Sequence, residues 1–313
     1  MMKTLILTML IPLLAHTFTR AQTISNTIKP YPYRTQSVTV RDTIDIAYVD
    51  EGEGEEVLLF VHGLGSYLAA WNKNISVLSN QYRCIALDLP GYGRSTKAAY
   101  PGTMSFYSNI LAEMLQALDI QEVTLVGHSM GAQISLTTAL QHPRVVKGMV
   151  LAAPAGFETF TEQDAQVLKS ATVPKAVAAA PAEQVKFNIG QNFYEFPNDA
   201  KFMIEDRLAM TSTEDFMTYC TVVSNNVRGM LAEPVFNSLD EIEKPVLVVY
   251  GANDALIPNR YLHKNLTTLE VAEAGVDALP NARLEIIPEC GHFVPFEKAD
   301  NFNTLVKAFM SGL

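Results

Sequence analysis

Cysteine is scarce in this chain: Cys84, Cys220 and Cys290 are three among 313 residues. Three cannot all pair with one another, and their spacings fit no metal site, so neither a disulfide framework nor a zinc module is expected to hold the fold. Cys84 lies in a strand-like apolar run and reads as a buried free thiol. Basic residues are also few, 23 Lys and Arg against 33 Asp and Glu, for a formal net charge of −10. That balance argues against a nucleic-acid partner, whose phosphates need clustered cations. Repeats and low-complexity tracts are absent. So is any apolar run long enough to cross a bilayer. The longest, Leu5 to Ala15 (LILTMLIPLLA), is broken by Pro12, preceded by Lys3 and followed by Thr19-Arg20-Ala21, with small residues where a signal peptidase inspects the chain. Residues 1–21 therefore read as a secretory signal peptide. The expected product has no membrane span and is exported, to a periplasm or the outside. No cysteine follows the run to suggest a lipid anchor. Asn74-Ile75-Ser76 and Asn265-Leu266-Thr267 match the glycosylation acceptor pattern.

What is present is a composition of 48% apolar and 18% charged residues, enough for a sizeable buried core. Short apolar runs predict buried strands at Val57 to Val61, Cys84 to Leu87, Val123 to Val126, Gly148 to Leu151, Pro245 to Tyr250 and Leu284 to Ile287. Two earlier runs, Ser37 to Val40 and Thr43 to Val49, alternate and predict half-exposed antiparallel edge strands. Helical spacing recurs at 107–118, 132–140, 259–269 and 299–309. Strands alternating with helices predict an α/β fold, a mostly parallel sheet with helices on both faces. From 156 to 234 that rhythm stops. This stretch has helical pieces, such as 164–169 and 200–210, and many aromatic and Met side chains, among them Phe187, Phe193, Met203, Phe216 and Tyr219. It reads as a helical cap inserted between two core segments, 22–155 and 235–313. Most of these side chains should form the cap's own small core, and some should line a pocket.

The most informative stretch is VTLVGHSMGAQISL, Val123 to Leu136. A serine sits between two glycines where a strand becomes a helix. Such a turn is a nucleophile elbow: Gly127 and Gly131 remove Cβ atoms that would collide, and Ser129 stands above the helix N-terminus. The Met130 N–H is the natural first oxyanion donor. A serine needs a base. Of six histidines, His16 leaves with the signal peptide, His128 points away inside the elbow, and His142 and His263 read as surface residues. His62 holds a loop. His292, in PECGHFVPFEKAD after the last strand, is the expected base. Asp254, in VLVVYGANDALIP, is the acid that would fix its tautomer, and the order Ser, Asp, His is the one this architecture requires. The rival carboxylate Asp88 precedes the serine and reads as an anchor for the Gly-rich turn after it. Cys290 is a conceivable nucleophile, but Ser129 is the better one. The second oxyanion donor is expected from FVHGLGSYLAAW, as the N–H of Leu64. Trp71, on the helix that follows, reads as a packing residue.

Taken together, His62-Gly63, the turn Asp88 to Ser95 (DLPGYGRS), Gly127 to Gly131, Gly251 to Asp254 and Gly291-His292 resemble the α/β-hydrolase fold superfamily, from about Val38 to the C-terminus apart from the cap. Ser129 at the elbow, where dehalogenases and epoxide hydrolases of this fold carry Asp, implies acyl chemistry. The loop reads His-Gly-Leu-Gly, unlike the longer His-Gly-Gly-Gly of other esterases. The closest resemblance is to the capped esterase and C–C hydrolase branch. It implies a serine carboxylesterase acting on a small apolar ester, with neither metal nor organic cofactor. Two alternatives stand beside it. One is cleavage of a C–C bond next to a ketone, for which relatives use a cap Arg to grip a carboxylate; Arg207 and Arg228 lie in the right region. The other is a binding protein that keeps the fold with little catalysis.

Overall fold

A computed structural model of the chain describes residues 22–313, so the expected signal peptide lies outside the described residues. Its frame is one eight-stranded sheet in the order β1-β2-β4-β3-β5-β6-β7-β8. The strands are β1 (Gln36–Val40), β2 (Ile44–Glu51), β3 (Val57–Val61), β4 (Arg83–Leu87), β5 (Val123–His128), β6 (Val146–Ala152), β7 (Val246–Gly251) and β8 (Ala282–Ile287). From β4 onward all neighbours are parallel; β2 runs antiparallel to both β1 and β4. Continuous apolar runs with no alternation form β5 and β7, and both are buried along their whole length. That is what a strand covered by helices on both faces requires. β1 alternates and is a half-exposed edge, as its sequence predicts. β2 is not an edge: it lies inside the sheet, and Ile46 to Val49 are buried.

The helices are α1 (Ile24–Thr27), α2 (Asn72–Leu78), α3 (Met104–Ala117), α4 (Met130–Gln141), α5 (Glu162–Ala171), α6 (Pro174–Ala178), α7 (Ala182–Gly190), α8 (Lys201–Ala209), α9 (Phe216–Ala232), α10 (Thr268–Asp277), α11 (Val294–Glu297) and α12 (Ala299–Met310). The helix behind the elbow, α4, is buried from Met130 to Ala139. Its Ser135, Thr137 and Thr138 hydroxyls donate to carbonyls four residues back, which leaves no unpaired hydroxyl in that interior. The helical spacing at 259–269 misleads. That segment is turns, because Asn259 Oδ1 accepts from the N–H groups of Tyr261 and Leu262 and holds an Asx turn. Helix α10 starts only where Thr267 and Glu270 form a reciprocal capping box.

Helices α5 to α9 lie between β6 and β7, where the sequence predicts the cap. The chain leaves the core and returns to it at one place: a Cβ on Gly156 would fall 2.7 Å from Val235 Cγ2. The cap has a firm root and a thin shell. Helix α9 buries residues from Phe216 to Gly229 along one face, and its Asn226 accepts from Tyr92 Oη at 2.5 Å and donates to Gly102 O at 3.0 Å. Helices α5 and α6 bury no residue, and α7 buries Val185 alone. Phe187, Tyr194 and Met217 are exposed.

Candidate active site

The elbow is strained as its sequence demands. Ser129 has φ 54° and ψ −117°, a left-handed backbone conformation that a residue with a side chain adopts only when its surroundings force it. The flanking glycines are needed for close approach. Pairing of Val61 with Gly127 draws β3 against the turn. A Cβ on Gly131 would then lie 2.1 Å from Val61 O, and one on Gly127 would lie 2.6 Å from Ala132 Cα. Ser129 is half-buried, and its hydroxyl makes no hydrogen bond among the described residues.

Two further strand ends supply the other candidates. Asp254 follows β7 and His292 follows β8, both nearly fully buried, and His292 Nδ1 donates to Asp254 Oδ2 at 2.8 Å. The second oxygen of Asp254 accepts from the N–H groups of Leu256 (2.8 Å) and Ile257 (3.0 Å). A carboxylate fixed by three donors keeps the imidazole in one tautomer, with Nε2 as the acceptor. Asn253 N donates to Cys290 O at 2.9 Å and ties the two loops together. Ser129 stands at the end of β5, two places from β7 and three from β8 in the sheet. The link between them is a residue the sequence reading set aside: His128 Nε2 donates to the His292 carbonyl at 3.0 Å, and its ring stacks on Phe293 at 4.6 Å. Burial holds the His128 imidazole well below its ordinary pKa, so it stays neutral, and Nδ1 has no partner among the described residues.

The other residues named from the sequence are placed as follows. The Leu64 and Met130 N–H groups meet no protein acceptor among the described residues. His62 accepts from Leu89 N at 3.0 Å through Nε2 and donates to Gly63 O at 2.9 Å through Nδ1, so it shapes the loop; burial lowers its pKa too. Asp88 accepts from Leu68 N, Arg94 N and Tyr31 Oη, each at 2.7 Å, and is an anchor rather than a rival acid. Cys290 is buried and its thiol is pushed up to about 12, which leaves no thiolate for chemistry. Asn74 is fully buried and donates to Pro295 O and Asn303 Oδ1, so it is closed to glycosylation in the folded chain. His263 is no free surface residue: its Nδ1 pairs with Glu158, at the start of the cap.

Beside these groups opens a cavity of about 690 Å³ between core and cap. Leu64, Gly65 and Phe293, chain neighbours of the candidate catalytic groups, line it together with the apolar Val185 and Met203, and Arg207 reaches in from α8. Arg207 lies over the rings of Phe216 (4.9 Å) and Tyr219 (5.6 Å), and Nη2 donates to Val177 O at 3.3 Å. Its buried Nη1 has no partner, and no carboxylate pairs with it among the described residues. Sequence alone could count Arg207 in the cap but could not aim it. The base loop is fastened to the cap as well, through Glu297, which accepts from Gly291 N (2.7 Å), Tyr194 N (3.1 Å) and Glu195 N (2.8 Å). No sequence signal marked Glu297.

The sequence profile of the alpha/beta hydrolase fold matches residues 56–299. The dihydrolipoyllysine-residue acetyltransferase component of the acetoin cleaving system of Cupriavidus necator is 28% identical over 273 residues, 87% of this chain and 68% of that protein. A 2-hydroxy-6-oxononadienedioate/2-hydroxy-6-oxononatrienedioate hydrolase of Burkholderia vietnamiensis is 29% identical over 277 residues, 85% of this chain and 90% of that protein. Among solved structures, a thermophilic esterase from Thermogutta terrifontis superposes with a TM-score of 0.73 at 21% identity, over 89% of this chain and 98% of that one.

Proposed function

Because the chain belongs to the alpha/beta hydrolase fold family, we propose that it is an exported serine hydrolase that cleaves a carboxylic ester. Ser129 Oγ attacks the carbonyl carbon and gives its proton to His292 Nε2. The Leu64 and Met130 N–H groups hold the oxyanion. His292 returns the proton to the leaving oxygen as the C–O bond breaks. Water, deprotonated by His292, then attacks the acyl-Ser129 and releases the acid. The observation that carries this reading is the His292–Asp254 pair, locked in one tautomer and bonded through His128 to the elbow that strains Ser129. The apolar run before residue 21 supports export.

The cavity refines the substrate. Its walls suit an apolar chain, and the Arg207 guanidinium, with Nη1 unpaired among the described residues, suits an anionic group on the substrate. That same arginine favours a second reading, cleavage of a C–C bond beside a ketone in a carboxylate-bearing substrate. The Burkholderia relative is named for a dioate, which is such a substrate. The test is a chain-length series of p-nitrophenyl esters, each with a free or a methyl-capped terminal carboxylate, run with Ser129→Ala as the control. Ester turnover that vanishes in Ser129→Ala supports the first reading. No turnover of any ester, with hydrolysis of a 2-hydroxy-6-oxo-dienoate, supports the second.

A further inference from the structure

The described chain begins with an arm that belongs to neither layer. Ile24 and Ile28 are buried, so the arm is packed rather than draped. It bonds both ways. Toward the cap, Ile24 N donates to Asp215 Oδ1 at 2.9 Å, Gln22 O accepts from Glu214 N at 3.1 Å, and Lys29 N donates to both oxygens of Asp206 at 3.1 and 3.2 Å. Toward the core, Tyr31 Oη donates to Asp88, Arg94 Nη2 donates to Ile28 O at 3.2 Å, and Lys97 Nζ donates to Ser25 Oγ at 3.2 Å.

Asp206 is where these ties converge. It is a buried carboxylate on α8, and besides Lys29 N it accepts from Tyr67 Oη at 2.6 Å. Tyr67 belongs to the loop after β3 that also carries Leu64. One side chain thus joins the arm, the oxyanion loop and the cap helix. The next residue in the helix is Arg207, whose guanidinium enters the cavity. A buried carboxylate that lost its donors would be costly, so the three parts are held at one spacing. We propose that residues 22–33 are a strap over the cap, that Asp206 is the positioning residue through which it acts, and that together they set Arg207 for the anionic end of the substrate. The last clause rests on the reading of Arg207 given above.

Two measurements test this on the full chain. The first is hydrogen exchange. Asp206→Ala should release protection in the arm and in 198–212 together, and Asp215→Ala should release the arm and the start of α9. Unchanged protection in 198–212 would overturn the strap. The second is kinetic, with a matched pair of esters, one bearing a free terminal carboxylate and one methyl-capped. Asp206→Ala should raise KM for the carboxylate ester by about tenfold more than KM for the capped ester, the scale of one charge-assisted contact, while any loss of kcat, passed through Tyr67 to the oxyanion loop, should fall on both esters alike. Asp206→Asn, which keeps an acceptor for Lys29 N–H, should restore KM. Equal rises in KM on both esters, or no rescue of KM by Asn, would overturn the positioning role. Arg207→Gln separates the layers: if it treats the two esters alike, the anion reading fails, and exchange alone then decides the strap.

Discussion

Core and cap are built to different standards. In the core, β5 and β7 are buried from end to end, and candidate catalytic groups sit on turns where one added carbon would strike backbone. In the cap, α5 and α6 bury nothing, and the helices meet around a cavity. The difference separates two tasks. Transition-state chemistry needs donors and base fixed within tenths of an ångström, so it sits where packing leaves no freedom. On the proposed reading, choice of substrate needs a wall whose shape can vary, and the loosely packed cap helices would supply it.

The sharpest way to break this contrast is at the three strand ends. His292→Ala should lower kcat by about 10³-fold or more, and Asp254→Asn should lose less. Retention of most activity by His292→Ala would remove it from the mechanism. Next come two glycines. Gly131→Ala should cost about 2–4 kcal/mol in a denaturant titration, because its Cβ meets Val61 O at 2.1 Å. Gly190→Ala, at the end of cap helix α7, meets nothing within 4 Å and should be neutral or stabilising by up to about 1 kcal/mol. Equal costs at the two sites would erase the distinction. The smallest expected effect is one of pH. His62 and His128 are held neutral in the folded core, with pKa values below the ordinary 6.5, chiefly by burial. As pH falls below 6.5 the unfolded chain takes up protons that the folded chain refuses, so stability declines. Melting temperatures between pH 7 and 5 should show that decline, and His128→Asn should make it shallower.

The same contrast governs what was legible in the sequence. Uninterrupted apolar runs give β3 and β5 because a doubly covered strand has no polar side to interrupt it. The turn at Gly127 to Gly131 could be read because its geometry admits few residue types. The cap resisted. Its aromatic richness was plain, but Phe193 is buried while Phe187 is exposed, and nothing in their spacing separates them. Leu262 and Leu266 keep helical spacing in the loop after Asp254, yet Leu266 faces solvent, so periodicity predicted a helix where an Asx turn prevails. Arg207 and Asp206 are adjacent in sequence, and only tertiary packing makes one a cavity wall and the other a joint. His128 looked idle because its bond runs to a carbonyl 164 positions away.

The meeting of Gly156 and Val235 has a consequence for descent. A detour that begins and ends at one doorway can be lengthened, shortened or exchanged without shifting any strand's register. The entropic charge for closing a longer loop rises only as the logarithm of its length. Lineages could therefore acquire new substrates by replacing what hangs from that doorway, while the residues beneath it stay under unchanged selection.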